Sequence, residues 1–295
     1  VVIEVKTGEV LAMVNYPSYN PNSRLAISPS LRRNAAVTDV LEPGSTMKPF
    51  TVAAALEDGI DPNMLIPTGP GKYYVAGRPI SDTHDYGAVD MRRLLVKSSN
   101  IAAAKLAAMM TSGHMYDVLD RFGFGERTQS GFPGESAAVL SAPNKWGPVE
   151  KATISYGYGL SVTPLQLAQA YAALANGGVM VDTTFVKGGS TGRHKAIDPA
   201  ISSQVLHMLE AVTETGGTAP IPPVKMVEGE GEVRRDLLDW YLRKSRTPQL
   251  LELDFRSQVA GCNYSKSRLF SLIETYGAAT VKAAMRKIID DGERS

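Results

Sequence analysis

Near residue 220 the density of charged side chains doubles, which divides this 295-residue chain into two parts with different compositions. About a third of the residues after this point are charged, against about a sixth of those before it. The change coincides with Pro220-Ile221-Pro222-Pro223, a stiff stretch with few N–H donors that is typical of a linker. We therefore predict two domains, residues 1–220 and residues 221–295.

The composition excludes several classes of protein. With 43% hydrophobic and 21% charged residues the chain is typical of globular proteins, and it has no apolar run long enough to span a bilayer. A net charge of +1 gives no broad electrostatic reason to expect nucleic acid as a partner. The single Cys262 and the four scattered histidines offer neither a disulfide nor metal-ligand spacing, so we expect no metal and no cofactor.

The first part mixes strand and helix patterns. Residues 1–5 and 9–14 are β-rich and flank the turn Lys6-Thr7-Gly8, which predicts an antiparallel hairpin, and 71–88 predicts a second, small hairpin outside the core. Helical patterns cover about 45–58, 90–110, 114–122, 164–176 and 199–214. Thr163 and Pro164 mark the clearest helix start.

The second part has only helical patterns. Amphipathic periodicity covers residues 231–244, 249–259, 266–275 and 279–291. We predict an all-helical C-terminal tail whose charges lie on solvated faces.

A candidate catalytic motif lies in Ser45-Thr46-Met47-Lys48, which follows a Pro-Gly turn. The spacing of three puts Ser45 and Lys48 on the same helix face, and a partly desolvated lysine can activate a serine hydroxyl as a base. The helix N-terminus would also favour a developing oxyanion. The pattern Ser-x-x-Lys also occurs by chance in chains of this length. Taken alone, it is more simply interpreted as a helix cap followed by a solvated lysine.

A second motif, Lys97-Ser98-Ser99-Asn100, changes that balance. Ser98 and Asn100 alternate around Ser99, so both can face one cleft, where they would provide a proton relay and an amide for a substrate carbonyl. By itself the cluster could equally cap the helix that follows. Its combination with Ser45 and Lys48 favours a catalytic site.

These motifs and several longer ones resemble the class B penicillin-binding proteins, in particular the division-type (septal) peptidoglycan transpeptidases. The resemblance spans residues 1–220. It is carried, in order, by Lys6 to Met13, Tyr16 to Pro21, Glu42 to Ala55, Lys97 to Ile101, Phe122-Gly123-Phe124-Gly125 and Ser155 to Ala168.

The resemblance implies a fold, a function and a site. The fold is α+β, a penicillin-binding transpeptidase-like antiparallel sheet with helices on both faces. Ser45 becomes the acylated nucleophile, Lys48 its general base, Ser98 a proton shuttle and Asn100 part of the second motif. The substrate would be the D-alanyl-D-alanine end of a peptidoglycan stem peptide, with a second stem as acceptor, and β-lactams would acylate the same serine.

One family motif is missing. After Gly216-Gly217-Thr218-Ala219 the family has a strand with Lys-Thr/Ser-Gly, and here the resemblance stops at that point. Lys6-Thr7-Gly8 has the right letters but precedes the nucleophile at a hairpin turn, so we do not assign it as the third motif. We expect an incomplete sheet, in which the hairpin of residues 1–14 has an exposed edge and an uncovered apolar face.

The tail more weakly resembles a different family, hydantoinase B and the acetone carboxylase α-subunit, over about residues 230–293. No catalytic residue carries over from it, and the junction suggests a chimera, a mis-assembled reading frame or a deliberately spliced chain. Two alternatives to an acylating transpeptidase follow: a non-catalytic chimeric or relic chain, or part of a hydantoinase or carboxylase assembly. A β-lactamase is a further variant, which would need a water-activating carboxylate among Glu126, Glu135 and Glu150.

The resemblance also implies a location. Such domains lie at the periplasmic or extracytoplasmic face of the inner membrane, with membrane proteins of the division complex as partners. The chain opens at Val1 without a signal-peptide pattern, so we expect any anchor to lie outside it.

Overall fold

The computed structural model describes residues 1–16, 18–20, 28–189, 191–214 and 216–219. The helices are Pro29–Arg32 (α1), Ala35–Thr38 (α2), Lys48–Glu57 (α3), Met91–Lys97 (α4), Asn100–Met109 (α5), Ser112–Arg121 (α6), Pro148–Ser155 (α7), Pro164–Ala175 (α8) and Pro199–Glu210 (α9), with 3₁₀ turns at Gly44–Met47 and Pro143–Lys145. The tail helices predicted at 231–244, 249–259, 266–275 and 279–291, together with Cys262, lie outside the described residues.

Short strands pair two by two. They are Val2–Ile3 (β1), Val10–Ala12 (β2), Ile66–Pro67 (β3), Lys72–Val75 (β4), Arg78–Ser81 (β5), Ala88–Val89 (β6), Val179–Val181 (β7) and Arg193–Lys195 (β8). β1 pairs with β2, β3 with β6, β4 with β5 and β7 with β8, all antiparallel. The mixture of helices and antiparallel strands confirms the predicted α+β class. Within the part that the structure describes, no sheet exceeds two strands.

The N-terminal hairpin is confirmed, with shorter strands than predicted. Two of its apolar side chains are open to solvent, since Val2 is 54% exposed and Leu11 is 59% exposed. The outer side of β2 is partly paired, since the backbone N–H of Val10 donates to the carbonyl of Thr184 at 2.9 Å.

The hairpin predicted at 71–88 is formed by β4 and β5. The prediction that this hairpin lies outside the core was wrong, because Ile80 is buried and Tyr73 and Val75 pack against the main hydrophobic cluster. Alternation along the strands places these apolar side chains on one face.

The helix predicted over 90–110 was wrong as a single element. α4 ends where Ser98 adopts a left-handed backbone (φ 54°, ψ 42°), and α5 begins two residues later. Apolar periodicity runs through both helices, so the pattern alone does not reveal the break. The two short helices leave Ser98 at a corner.

The main core forms around α3. Phe50 lies edge-to-face against Phe122, Phe124 and Tyr171, with ring centroids 5.0 to 5.2 Å apart. Aromatic pairs in this geometry add about 1 kcal/mol each beyond burial. This cluster holds α3, and therefore the residues at its start, in a fixed position.

The remaining helices differ from prediction mainly at their ends. α8 starts as predicted, since Thr163 and Gln166 form a reciprocal capping box behind Pro164. α6 begins two residues early at a cap from Thr111, and α9 ends at Glu210. α7 was not predicted. No helix in the described ranges is both long enough and apolar enough to cross a membrane.

Candidate active site

The turn before α3 presents a serine to solvent and a lysine to the interior. Gly44 takes a positive φ of 59° and starts the 3₁₀ turn, which passes directly into α3 at Lys48. Ser45 lies exposed on this turn, whereas Lys48 is only 1% exposed. The turn therefore places the Ser45 hydroxyl at the surface and the Lys48 side chain in the interior.

Ser45, Lys48 and Ser98 form a triangle of hydrogen bonds. Lys48 Nζ donates to Ser45 Oγ at 2.8 Å and to Ser98 Oγ at 2.9 Å, and Ser98 Oγ donates to Ser45 Oγ at 2.9 Å. Lys48 Nζ also donates to the Ser98 carbonyl at 2.8 Å. A proton can therefore pass between any two corners of this triangle without a side chain moving.

Burial changes the protonation of Lys48. Desolvation lowers the pKa of its ammonium from 10.5 to about 8, and the negative charge of Asp82 opposes this shift by raising the pKa. An amine in this range has a sizeable neutral fraction near physiological pH, as a general base requires.

The left-handed backbone of Ser98 points this residue toward the lysine. Its carbonyl and its hydroxyl both accept hydrogen bonds from Lys48 Nζ. A non-glycine residue in this region is uncommon and is frequently found at functional sites.

Asn100 lies near this corner but outside the triangle. Its side-chain amide donates to the carbonyl of Ser81 at 3.3 Å, and among the hydrogen bonds of the described residues none joins it to Ser45 or Lys48. Ser99, between the two, is fully buried and points away toward Asp82.

Asp82 is the residue that sequence reasoning missed. It follows β5 and lies 17 positions before Ser99, so no local spacing connects the two. The only signal in the sequence is a carboxylate directly after a short hairpin strand. Tertiary packing brings it to the start of α5.

The Ser45 turn is fastened to the loop after α7. The Gly44 N–H donates to the Gly157 carbonyl at 2.9 Å, and the Gly159 N–H donates to the Glu42 carboxylate at 2.9 Å. On the other side the Tyr171 hydroxyl donates to the Thr46 carbonyl at 2.9 Å. Burial raises the pKa of Tyr171 to about 12, which keeps this hydroxyl protonated as a donor.

Lys6-Thr7-Gly8 contacts residues 184–193 through its backbone carbonyls. The carbonyls of Lys6 and Thr7 accept hydrogen bonds from Arg193 and Thr191, and the carbonyl of Gly8 accepts one from the Thr184 N–H. The segment is therefore the turn of a bound hairpin, as expected for the N-terminal strands.

Of the carboxylates considered for water activation, Glu135 is engaged elsewhere. It is buried and accepts hydrogen bonds from the N–H and hydroxyl of Thr128 and from the hydroxyl of Ser130. These contacts close the loop that contains it. Glu150 lies in the first turn of α7.

The family profile described as the penicillin binding protein transpeptidase domain matches residues 1–229. The chain belongs to this family. The match covers the four candidate site residues Ser45, Lys48, Ser98 and Asn100. The penicillin-binding transpeptidase fold predicted from the sequence is confirmed.

Individual relatives agree with this assignment. The chain is 43% identical over 220 residues to the probable peptidoglycan D,D-transpeptidase PenA of Neisseria flavescens, covering 74% of this chain and 54% of the relative. It is 40% identical over 219 residues to the peptidoglycan D,D-transpeptidase FtsI of Escherichia coli strain K12, covering 74% and 37%. The chain thus spans about half or less of the length of these curated relatives.

Solved structures show the same similarity for the transpeptidase part. A peptidoglycan glycosyltransferase from Burkholderia ambifaria has a TM-score of 0.67 and 41% identity, covering 74% of this chain and 66% of that one. The transpeptidase domain of Burkholderia pseudomallei penicillin-binding protein 3 has a TM-score of 0.66 and 40% identity, covering 74% and 62%.

The C-terminal part matches a second family. The profile described as hydantoinase B/oxoprolinase covers residues 208–295, which confirms the weaker resemblance noted for the tail. The two matched ranges overlap at residues 208–229.

Proposed function

We propose that this chain is a serine-acylating penicillin-binding D,D-transpeptidase that cross-links peptidoglycan stem peptides in septal cell-wall synthesis. The triangle of Ser45, Lys48 and Ser98, with side-chain atoms 2.8 to 2.9 Å apart, carries this proposal. It provides a nucleophile, a base of lowered pKa and a relay hydroxyl in direct contact.

In the acylation step, neutral Lys48 accepts the proton of Ser45 as Ser45 Oγ attacks the carbonyl carbon of the penultimate D-alanine. The tetrahedral intermediate then collapses and its C–N bond breaks. The departing D-alanine nitrogen receives a proton through Ser98, whose hydroxyl is replenished from Lys48. The product is an ester between the stem peptide and Ser45.

In the transfer step, the amine of a second stem attacks this ester. The attacking nitrogen loses a proton through Ser98 to neutral Lys48, the C–O bond to Ser45 breaks, the serine oxygen receives that proton from Lys48, and an amide joins the two stems. A β-lactam would acylate Ser45 in the same way. We assign Asn100 the role of holding a substrate carbonyl with its amide.

The domain organisation belongs to the same proposal. We propose that residues 1–220 are the transpeptidase-like domain and that residues 221–295 are a helical tail of different origin. The overlapping family matches at 208–229 support a junction in this region. The sequence contains Lys-Thr-Gly only at residues 6–8, so we expect turnover to be impaired relative to a domain with the third motif.

Location and partners follow from the substrate. Peptidoglycan is cross-linked outside the cytoplasmic membrane, so we propose that the domain acts at the periplasmic face of the inner membrane. We propose division-complex membrane proteins as its partners.

A fluorescent penicillin tests the acylation step directly. We expect the wild-type chain to be labelled with a stoichiometry near one after denaturing electrophoresis, and Ser45→Ala to abolish the label. Ser112→Ala, a serine at the start of α6, is the matched control and should label like the wild type.

Two outcomes would reject the proposal. If the folded wild-type chain takes no label, the serine is not acylated and the chain is a non-catalytic relic. If Ser45→Ala labels as well as the wild type, another nucleophile reacts. A carbamoyl or carboxyl transfer activity that survives Ser45→Ala would instead favour the hydantoinase or carboxylase assembly.

A further inference from the structure

The start of α5 is held by a carboxylate from outside the helix. Asp82 Oδ1 accepts the backbone N–H groups of Asn100 and Ile101 at 2.6 and 3.1 Å, and Asp82 Oδ2 accepts the Ser99 hydroxyl at 2.6 Å. The Ser99 hydroxyl oxygen in turn accepts the Ala102 N–H at 3.0 Å. Asp82 and Ser99 together satisfy the first turn of the helix.

This contact has a direct consequence for Ser98. The residue is in a left-handed conformation, which persists only when its neighbours are fixed on both sides. On the N-terminal side the N–H groups of Ser98 and Ser99 donate to the carbonyls of Leu95 and Leu94 at 3.1 and 3.0 Å. On the C-terminal side Asp82 accepts the Ser99 hydroxyl and the Asn100 N–H. Loss of the Asp82 anchor should loosen the C-terminal side of this corner and so weaken the contact of Ser98 with Lys48.

The same carboxylate supplies charge near the amine. Lys48 faces Ser45 on the turn before α3, Ser98 at the α4–α5 corner and the negative charge of Asp82 after β5. Within the described residues, Asp82 is the charged group that acts on Lys48, and it raises the pKa of the lysine against the lowering by burial. A carboxylate at a helix N-terminus is itself favoured by the helix dipole.

We propose that Asp82 is a positioning residue for the candidate active site. By binding Ser99 and Asn100 it holds Ser98 in contact with Lys48 and Ser45, and its carboxylate provides the counter-charge to the lysine. It acts through these neighbours and does not itself exchange a proton with the substrate. This inference rests on the proposed function for its effect on catalysis, but its effect on Lys48 does not depend on turnover.

The first test measures the protonation of Lys48 in the full chain by NMR. The protein is labelled at lysine ¹³Cε, the Lys48 signal is identified by its loss in Lys48→Arg, and its chemical shift is followed against pH. In Asp82→Asn the Lys48 titration should move to lower pH, because a neutral amide removes the charge that stabilises the ammonium. Asp82→Glu keeps the charge and should restore most of the wild-type midpoint.

The second test measures the rate of acylation by fluorescent penicillin as a function of pH. Asp82→Asn should lower the limiting rate about tenfold or more, because Ser98 loses its position, and should move the midpoint of the pH profile downward with that of Lys48. Asp82→Glu should lower the limiting rate while leaving the midpoint near the wild-type value. A role limited to stability would lower neither the rate per folded molecule nor the midpoint.

Asp198→Asn is the matched control. Asp198 caps α9 through the Ala200 N–H at 3.0 Å, so the substitution removes a helix-cap carboxylate with no contact to the triangle. It should leave the Lys48 midpoint and the acylation rate unchanged.

The outcomes separate this inference from the proposed function. An unchanged Lys48 midpoint together with an unchanged acylation rate in folded Asp82→Asn would overturn the inference. If the wild type takes no penicillin label, the proposed function fails, and the NMR titration still decides whether Asp82 acts on Lys48. If Asp82→Asn does not fold, Asp82→Glu decides the question by whether its limiting rate falls while the midpoint is kept.

Discussion

Burial makes Lys48 usable as a base near neutral pH. With an ordinary pKa of 10.5 almost none of this amine would be neutral at pH 7, whereas at about 8 roughly one-tenth is neutral. The protein achieves this by starting α3 at the lysine and burying it beneath an exposed serine.

The acylation rate should therefore depend on pH with a defined sign. Because the neutral amine is the reactive form, the rate constant for penicillin labelling should rise with pH, with a midpoint near 8, and level off above it. Stopped labelling reactions between pH 6 and 10 measure this profile. A profile that is flat over this interval would show that Lys48 is not the base.

The residues of the site were predictable to different degrees. Ser45 and Lys48 lie three positions apart, and the structure places their side-chain atoms 2.8 Å apart, because one helical turn sets that separation. Ser98 was predicted from its motif, but its place beside Lys48 depends on the break between α4 and α5, which periodicity concealed. Asp82 reaches the site through tertiary packing alone, so no spacing rule could identify it.

At the scale of elements, the site depends on the contact between the loop after α7 and the 3₁₀ turn that carries Ser45. Gly157 has a φ of 89°, and a Cβ at this position would lie 1.9 Å from the Gly44 carbonyl oxygen. The loop after α7 can therefore approach the nucleophile turn only because Gly157 has no side chain.

Gly157→Ala should consequently disrupt both stability and the site. We expect a loss of about 3 kcal/mol in unfolding free energy, because the Cβ must displace backbone, together with loss of penicillin labelling. Gly59→Ala is the control, since Gly59 has a φ of 80° but no atom within 4 Å of the added Cβ. It should cost about 1 kcal/mol from backbone strain alone and keep the label. Equal losses in urea denaturation of the two variants would contradict the close approach as the cause.

At the scale of the whole molecule, the described residues up to Val212 form one compact unit. α9 closes this unit, because Ser202, Val205 and Met208 on one of its faces are buried. This compact unit therefore ends before the proposed junction at residue 220.

Removing residues 221–295 should leave that unit intact. A chain ending at residue 220 should show one cooperative thermal transition within a few degrees of the full chain and the same extent of penicillin labelling. A chain ending at residue 198 lacks α9 and should lose the transition, because it exposes the apolar surface that α9 covers. Loss of the transition on cutting at 220 would show that the tail stabilises the transpeptidase part.

The sequence by itself determined the features that depend on local spacing and local chemistry. These are the N-terminal hairpin, the capped start of α8, the contact of Ser45 with Lys48 and the family to which the chain belongs. Each depends on turn residues, on helical periodicity or on the order of motifs, all of which can be recognised in the sequence.

Only the tertiary structure decided the features that depend on distant segments meeting. The contact of Ser98 with Lys48, the contact of Asp82 with Ser99 and the close approach of Gly157 to Gly44 join residues 17 to over 100 positions apart. Such contacts result from how the helices and the hairpin pack around the Phe50 cluster. The local sequence is compatible with several such arrangements, and packing selects the one in which the serine, the lysine and the relay hydroxyl meet.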